Sequence, residues 1–565
     1  MPANIAIDYF PAAFSSKGPK LMGLNAANEG FASGFVRHAD VDVLAAHTRT
    51  EAEFDTFAQL VRDTRGESVR ARRVEPGNNA ALADIGALLH PFPGFGPLAW
   101  HRRFAHPAAY SLLGITHTTA THAVMDSIGN LMVAPIEPWD AVVCTSAAVR
   151  ATYETVLAQW QEHLAERLGA TRFPRPQLPV IPLGVDTARF DAAPPGLRES
   201  LRSRLGIGPD DLVVFWMGRF THLAKAHPIP SYLALQALAR RTGRPVVYLQ
   251  AGWFAGEGDR AAFADAASRF SPDVRHVFVD GRDAEYRQGG WQAADIFLSL
   301  SDNLQETFGL TPIEAMAAGL PVVVSDWDGY RDTVRHGIDG FRIPTTLPPA
   351  GTGRDLGFHF ATGRLDYSAY CGAAGQMAAV DLGRCVEALA ALAADPSLRR
   401  RMGDAGRERA RTVFDWRVVI GQYQSLAAEL AERRAHAVHA PAPAGGARLP
   451  LRDDPFHIFG GYATHSLGAQ TALWPGGTAP AHLQELHQHA LNRVGAAWRA
   501  DLAAIGRLRQ VVQARPGITL GTLAQGLPAA QQLVLVRSVA WMLKMDLLSS
   551  NAPRTVPGPA PAGPA

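Results

Sequence analysis

The stretch Ser301–Gly329, SDNLQETFGLTPIEAMAAGLPVVVSDWDG, restricts the possible folds more than any other part of the chain. Ala315, Met316, Ala317 and Ala318 favour a short helix, Gly319 ends it, and Pro321–Ser325 reads as a buried parallel strand. A loop, a helix and an inner strand in such close succession commit this region to an α/β layer architecture.

The start of that helix suggests a chemistry. The amides of Gly309, Leu310 and Thr311 precede the first hydrogen-bonded turn, so they are free to face an anion, and the helix dipole favours negative charge there. Pro312 suits the first turn, where a missing N–H is harmless, and Gly309 allows close approach to the backbone. Glu314 lies about one turn further in, placed to accept hydrogen bonds from ribose hydroxyls. Glu306, in the preceding loop, is placed for the other end of the same ligand.

The remainder of the chain supports two such α/β blocks. Short apolar runs at Ile5–Tyr9, Val41–Ala45, Gly86–His90, Leu112–Thr116, Ala141–Thr145 and Val180–Leu183 alternate with amphipathic stretches, as in a doubly wound domain. Lys17, Gly18 and Gly23 follow the first run, where such folds bind ligands. A second block starts at Leu212–Met217 and continues through Pro245–Ala251, Arg275–Val279 and Ile296–Leu300. Arg219 and Lys225 follow its first strand and suit a diphosphate, arginine as a fork of donors and lysine as a point charge.

Glu306 and Glu314, with F-G-L-T-P-I between them and E-A-M-A-A-G-L-P-V-V at and after the second, resemble the hallmark of the family 4 retaining glycosyltransferases of the GT-B fold. Arg219 and Lys225 resemble that family's cation pair, although Ala226 stands where a glycine often follows the lysine. The resemblance implies that His117, in LLGITHTTATHAVMD, is the active-site histidine touching the donor sugar or phosphate, and that VFVDGRDAEYR holds the nucleotide base. DAVVCTSAAVRATYE and VIPLGVDTARF are similar to further family segments, with Ser146 read as a helix cap and Gly184 and Asp186 as the end of the first domain. Gly23 is a candidate donor contact, but the paired glycines common in the family are missing around it. Tyr330 replaces the second glycine of the turn after the organising strand.

The expected fold class is therefore α/β, GT-B, with two Rossmann-like domains facing across a cleft plus a small, mainly helical C-terminal domain. The expected boundaries are an acceptor domain over 1–190, a nucleotide-sugar domain over 205–408, a crossover helix over 409–435, a linker over 436–455, a helical module resembling a winged helix over 456–550 and a disordered tail over 551–565. Residues Thr345–Asp381, rich in Gly, Pro and Ala, read as an irregular insertion. Trp416 and Tyr423 read as packing residues.

A formal charge of +2 over 565 residues gives no global field for nucleic acid or anionic membrane. The last helical pattern carries only Arg537 and Lys544, so DNA is not an expected partner, and the C-terminal module reads as a docking unit for a protein. Cys144, Cys371 and Cys385 are unpatterned, which argues against a disulfide framework or a zinc site. With no leader pattern and no long apolar run, a cytoplasmic protein with at most peripheral membrane contact is expected.

The resemblance implies transfer of a sugar, a hexose, from a UDP- or GDP-sugar to an unidentified glycan, lipid or small-molecule acceptor. No cofactor and no metal are expected. Arg219, Lys225 and the Gly309–Thr311 amides would hold the leaving diphosphate, Glu306 and His117 the sugar, and Glu314 the ribose. The resemblance implies retention by front-side attack. Two alternatives remain: a non-catalytic nucleotide-sugar-binding regulator acting through its C-terminal module, and a metal-dependent transferase using Asp326 and Asp328.

Overall fold

The computed structural model describes residues 4–15, 23–191, 196–437 and 449–551. Lys17, Gly18, Lys20, the middle of the expected linker and nearly all of the C-terminal tail lie outside the described residues. The chain divides into two compact units, 1–449 and 450–565.

The first unit contains two Rossmann-like lobes. In the first, β1 (Ala6–Asp8), β2 (Val43–His47), β3 (Arg70–Val74), β4 (Ala87–His90), β5 (Ser111–Ile115) and β6 (Ala141–Val143) form a parallel sheet of order β3-β2-β1-β4-β5-β6. In the second, β7 (Leu212–Met217), β8 (Val246–Gly252), β9 (Val274–Asp280), β10 (Ile296–Ser299), β11 (Val322–Ser325) and β12 (Gly340–Ile343) form a parallel sheet of order β12-β11-β10-β7-β8-β9. Strand order reverses between β1 and β4 in one lobe and between β7 and β10 in the other. In open parallel sheets the crevice outside the carboxyl ends at such a point is where ligands bind.

The expected strands differ from the observed ones in three places. β3 was not expected: in Arg-Ala-Arg-Arg-Val only the last residue is buried, and arginines solvate this edge strand. β12 is the edge of the second sheet and was likewise not expected. Val180–Leu183 forms no strand; Val180 makes only an isolated parallel bridge with Cys144 beside β6.

The stretch 345–381 is not irregular. It contains helices Arg354–Ala361 and Tyr367–Gly375, framed by an antiparallel pair of β13 (Thr345–Thr346) and β14 (Ala379–Val380). Asp366 caps the second helix by accepting from the Ala369 amide.

The helix Trp416–His436 packs into the first lobe's core, where Trp416, Ile420, Tyr423 and Leu430 meet Ile5, Ile7, Phe31 and Phe35. The indole of Trp416 fits against glycines: a Cβ on Gly34 would fall 2.7 Å from its Cγ, and one on Gly184 2.4 Å from its Cδ2.

The second unit has an antiparallel sheet in which β15 (Ala472–Pro475) lies between β16 (Ile518–Thr519) and β17 (Leu548–Ser549). Helices Leu502–Ala514 and Ala529–Lys544 cover it around Leu473, Ile505, Val512, Val539 and Met542. Among the described residues, no helix is long and apolar enough to cross a membrane.

Candidate functional site

The switch point of the second lobe gathers the predicted charged residues. Arg219 and Lys225 follow β7, and the loop Ser301–Gly309 follows β10. Two buried residues tie these loops together. Asn303 Nδ2 donates to the Leu223 carbonyl at 2.8 Å, and the His227 amide donates to Asp302 Oδ2 at 3.1 Å. Sequence reasoning missed both residues, since neither shows a signal apart from lying in the loop. Burial pushes the Asp302 carboxyl up to about 7.

Lys225 and Glu306 face each other, with Nζ 3.5 Å from Oε2. Arg219 is half-buried and, among the described residues, forms no ion pair with an acid; burial lowers its pKa. The Gly309, Leu310 and Thr311 amides likewise have no protein acceptor among the described residues. An uncompensated guanidinium and three free amides at a helix start suit an anion.

Gly309 is a helix cap at φ 88°, and a Cβ there would fall 2.0 Å from the Tyr330 ring. Glycine at this position thus makes room for Tyr330, a need the sequence did not reveal. The Tyr330 hydroxyl lies 2.9 Å from Ser299 Oγ and also bonds the Thr311 side chain, so this residue belongs to the core beneath the helix. Glu314 has no side-chain hydrogen bond among the described residues, and burial raises it to about 7 against the pull of Arg189 and Arg287. Gly23 opens the helix Gly23–His38, and among the described residues nothing lies within 4 Å of a Cβ placed there.

His117 Nε2 lies 2.9 Å from the Pro91 carbonyl, and burial pushes the ring down to about 4. The ring is neutral near pH 7, with Nε2–H donating to Pro91, which leaves Nδ1 as an acceptor. A neutral ring with Nδ1 as acceptor suits a hydroxyl donor. The His117 turn also joins the lobes, because Thr307 Oγ1 donates to the His117 carbonyl. A second bridge runs from Ser146, which caps its helix, to Asp328 Oδ1 at 3.3 Å. Next to it, the Ala147 amide donates to Asp332 Oδ2 at 2.6 Å.

Asp326 and Asp328 face different partners. Asp326 is paired with Arg342 at 3.4 Å, whereas Asp328 turns toward Ser146 and is pushed up to about 8 by burial and Glu306. Among the described residues, no group of three or more His, Cys, Asp or Glu side chains could hold a metal ion. A cavity of about 330 Å3 beyond β8 and β9 is lined by Phe220, Trp253, Phe254, Phe278, Asp280 and Arg282. It includes part of the loop expected to hold the base.

The first lobe's switch point carries a cluster that sequence reasoning missed. Buried Asp8, at the end of β1, accepts from His47 Nδ1 at 2.8 Å and from His90 Nδ1 at 2.7 Å. These bonds hold the carboxyl below its usual range despite the opposing effect of burial. The three residues are spread over β1, β2 and β4, and no local pattern links them.

Residues 198–350 match the model of the family glycosyl transferases group 1. A D-inositol 3-phosphate glycosyltransferase of Nocardia farcinica is 31% identical over 188 residues, covering 33% of this chain and 40% of the relative. Another from Saccharomonospora viridis is 34% identical over 167 residues, covering 29% and 37%. The chain thus spans about two fifths of the length of these curated relatives. Among solved structures, Anabaena HepE in complex with UDP is 14% identical, with a TM-score of 0.47 over 75% of this chain and 99% of that one. The segment that carries Arg219, Lys225, Glu306 and Glu314 is the segment that the glycosyl transferases group 1 model matches.

Proposed function

We propose that the protein transfers a sugar from a nucleotide-diphosphate sugar to a hydroxyl-bearing acceptor, with retention at the anomeric carbon. The observation that carries this reading is the pairing of unfilled anion donors at one switch point: Arg219 without an acid, and the Gly309–Thr311 amides without acceptors among the described residues. As the bond from anomeric carbon to phosphate oxygen breaks, negative charge grows on the leaving diphosphate. Preorganised donors there stabilise the transition state more than the ground state.

Lys225 adds a second cation, and Glu306 beside it takes sugar hydroxyls. Glu314 accepts from the ribose, Nδ1 of His117 takes a sugar hydroxyl from the opposite wall, and the cavity at Phe254 and Phe278 receives the base. In front-side attack the acceptor oxygen bonds the anomeric carbon while its proton passes to the departing phosphate oxygen. The acceptor lies on the first lobe. The relatives' name makes D-inositol 3-phosphate a compound to try as acceptor. The unit 450–565 serves as a docking module.

The test is a thermal-shift screen against UDP- and GDP-sugars, followed by product analysis of any that bind. A ligand at 100 times its dissociation constant stabilises by about 2.7 kcal/mol. Binding without hydrolysis or transfer would favour a non-catalytic regulator, and an inverted product would exclude the retaining mechanism.

A further inference from the structure

The helices inside 345–381 touch both lobes at the cleft. On the second lobe, a Cβ on Gly372 would fall 2.5 Å from Leu223 Cδ2, and one on Gly375 3.4 Å from the Asp302 carbonyl. The helix Tyr367–Gly375 therefore lies against the two loops that supply Lys225 and Glu306. On the first lobe, Phe360 packs against His122 with ring centroids 3.8 Å apart and planes tilted by 47°, and it is itself stacked on Tyr370 at 4.3 Å. Tyr367 completes the link, its hydroxyl 3.0 Å from Thr118 Oγ1.

We propose that Tyr367 is a positioning residue of the transfer site, its hydroxyl fixing Thr118 and with it the His117 turn opposite Arg219. The inference rests on the transfer reading above. Two groups from the second lobe's side hold this turn: the Thr307 hydroxyl on the His117 carbonyl, and the Tyr367 hydroxyl on the next side chain. With both in place, Nδ1 of His117 has a fixed direction. With one, the turn can pivot.

The residue type also suits the position. Tyr367 is the electrostatic neighbour of Arg219, and burial keeps its phenol protonated at neutral pH. A carboxylate at this place would neutralise the guanidinium, as Glu306 does Lys225. A neutral phenol holds the wall while leaving the charge of Arg219 available to a diphosphate.

The test compares Tyr367→Phe, Thr118→Val and the double variant. Each single change should lower kcat about tenfold, through misplacement of a group that acts on the sugar. Affinity for UDP alone should change less than twofold. The double variant should be no worse than either single one, because both remove the same bond. Hydrogen exchange of the 116–122 amides should quicken in all three variants, and this readout needs no activity.

Unchanged exchange in Tyr367→Phe would overturn the anchor itself. Unchanged kcat, or single effects that multiply in the double variant, would overturn the positioning role. If the wild-type protein bound neither UDP-glucose nor GDP-mannose, the transfer reading would fail instead, and the exchange result would separate the two outcomes.

Discussion

Lys225 and Glu306 are each other's partner: the ammonium lies 3.5 Å from the carboxylate, with both side chains partly exposed. On the proposed reading, an arriving diphosphate shares Lys225 with that carboxylate. Replacing Glu306 by Ala should therefore tighten binding of UDP alone by about threefold, a modest gain because partly exposed pairs are weak. Transfer from the intact donor should fall at least about tenfold as the sugar contact is lost. Calorimetry with UDP beside a turnover assay would check both, and weaker UDP binding would place Glu306 on the nucleotide instead.

Among the described residues, Arg219 has no such competitor. Arg219→Ala should lower turnover by more than about tenfold, and Lys225→Ala likewise, since loss of one transition-state donor can reach about 10² to 10³. Steady-state kinetics with the best donor from the screen would decide. Normal turnover in both variants would remove the diphosphate assignment.

Gly309 should tolerate no side chain. At φ 88°, with the Tyr330 ring 2.0 Å from the new Cβ, Gly309→Ala should destabilise the protein by about 2–4 kcal/mol from backbone strain and overpacking. Urea unfolding would measure it. A loss below about 1 kcal/mol would show that the Tyr330 ring yields easily.

The buried carboxyls set a pH dependence. Asp302, Glu314 and Asp328 are raised to about 7, 7 and 8, while the unfolded chain ionises them near 3.8, 4.5 and 3.8. Between those values the folded protein holds protons that the unfolded chain has released, so stability falls as pH rises through that range. Asp328→Asn should flatten the fall in Tm between pH 5 and 8, and Asn accepts the positive φ of 44° found there. An unchanged slope would mean that Asp328 is ionised in the fold.

Asp8 works with the opposite sign. Its folded pKa lies below the ordinary 3.8, so its contribution is present above that value and fades as pH falls through and below it. Asp8→Asn, which cannot accept from both imidazoles through two oxygens, should lower stability at pH 7 by about 1–3 kcal/mol. The gap between variant and parent should narrow as pH falls below 3.8, and denaturant unfolding at pH 7 and 3 would show it.

Inner strands were legible because they are continuous apolar runs: β8, β10 and β11 are buried along their whole length, and β7 over its first four residues. The edge strand β3 was not, because it displays arginines to water as a loop would. In 345–381, Gly and Pro masked two helices whose stability comes from tertiary contacts such as Phe360 on His122, which no local pattern encodes. The loop and helix carrying Glu306 and Glu314 could be read because their spacing is local. The Asp8, His47 and His90 cluster could not, since only the sheet order brings these residues together.

The seating of Trp416 against Gly34 and Gly184 has a consequence for dissecting the protein. A fragment ending near residue 190 would contain every strand of the leading sheet yet lack the indole and Tyr423 that fill its interior. Such a piece should be sticky and poorly soluble, and supplying a peptide spanning 410–437 should rescue it. Any cut meant to yield a well-behaved half must therefore rejoin distant stretches of chain, by circular permutation for example, and not simply truncate.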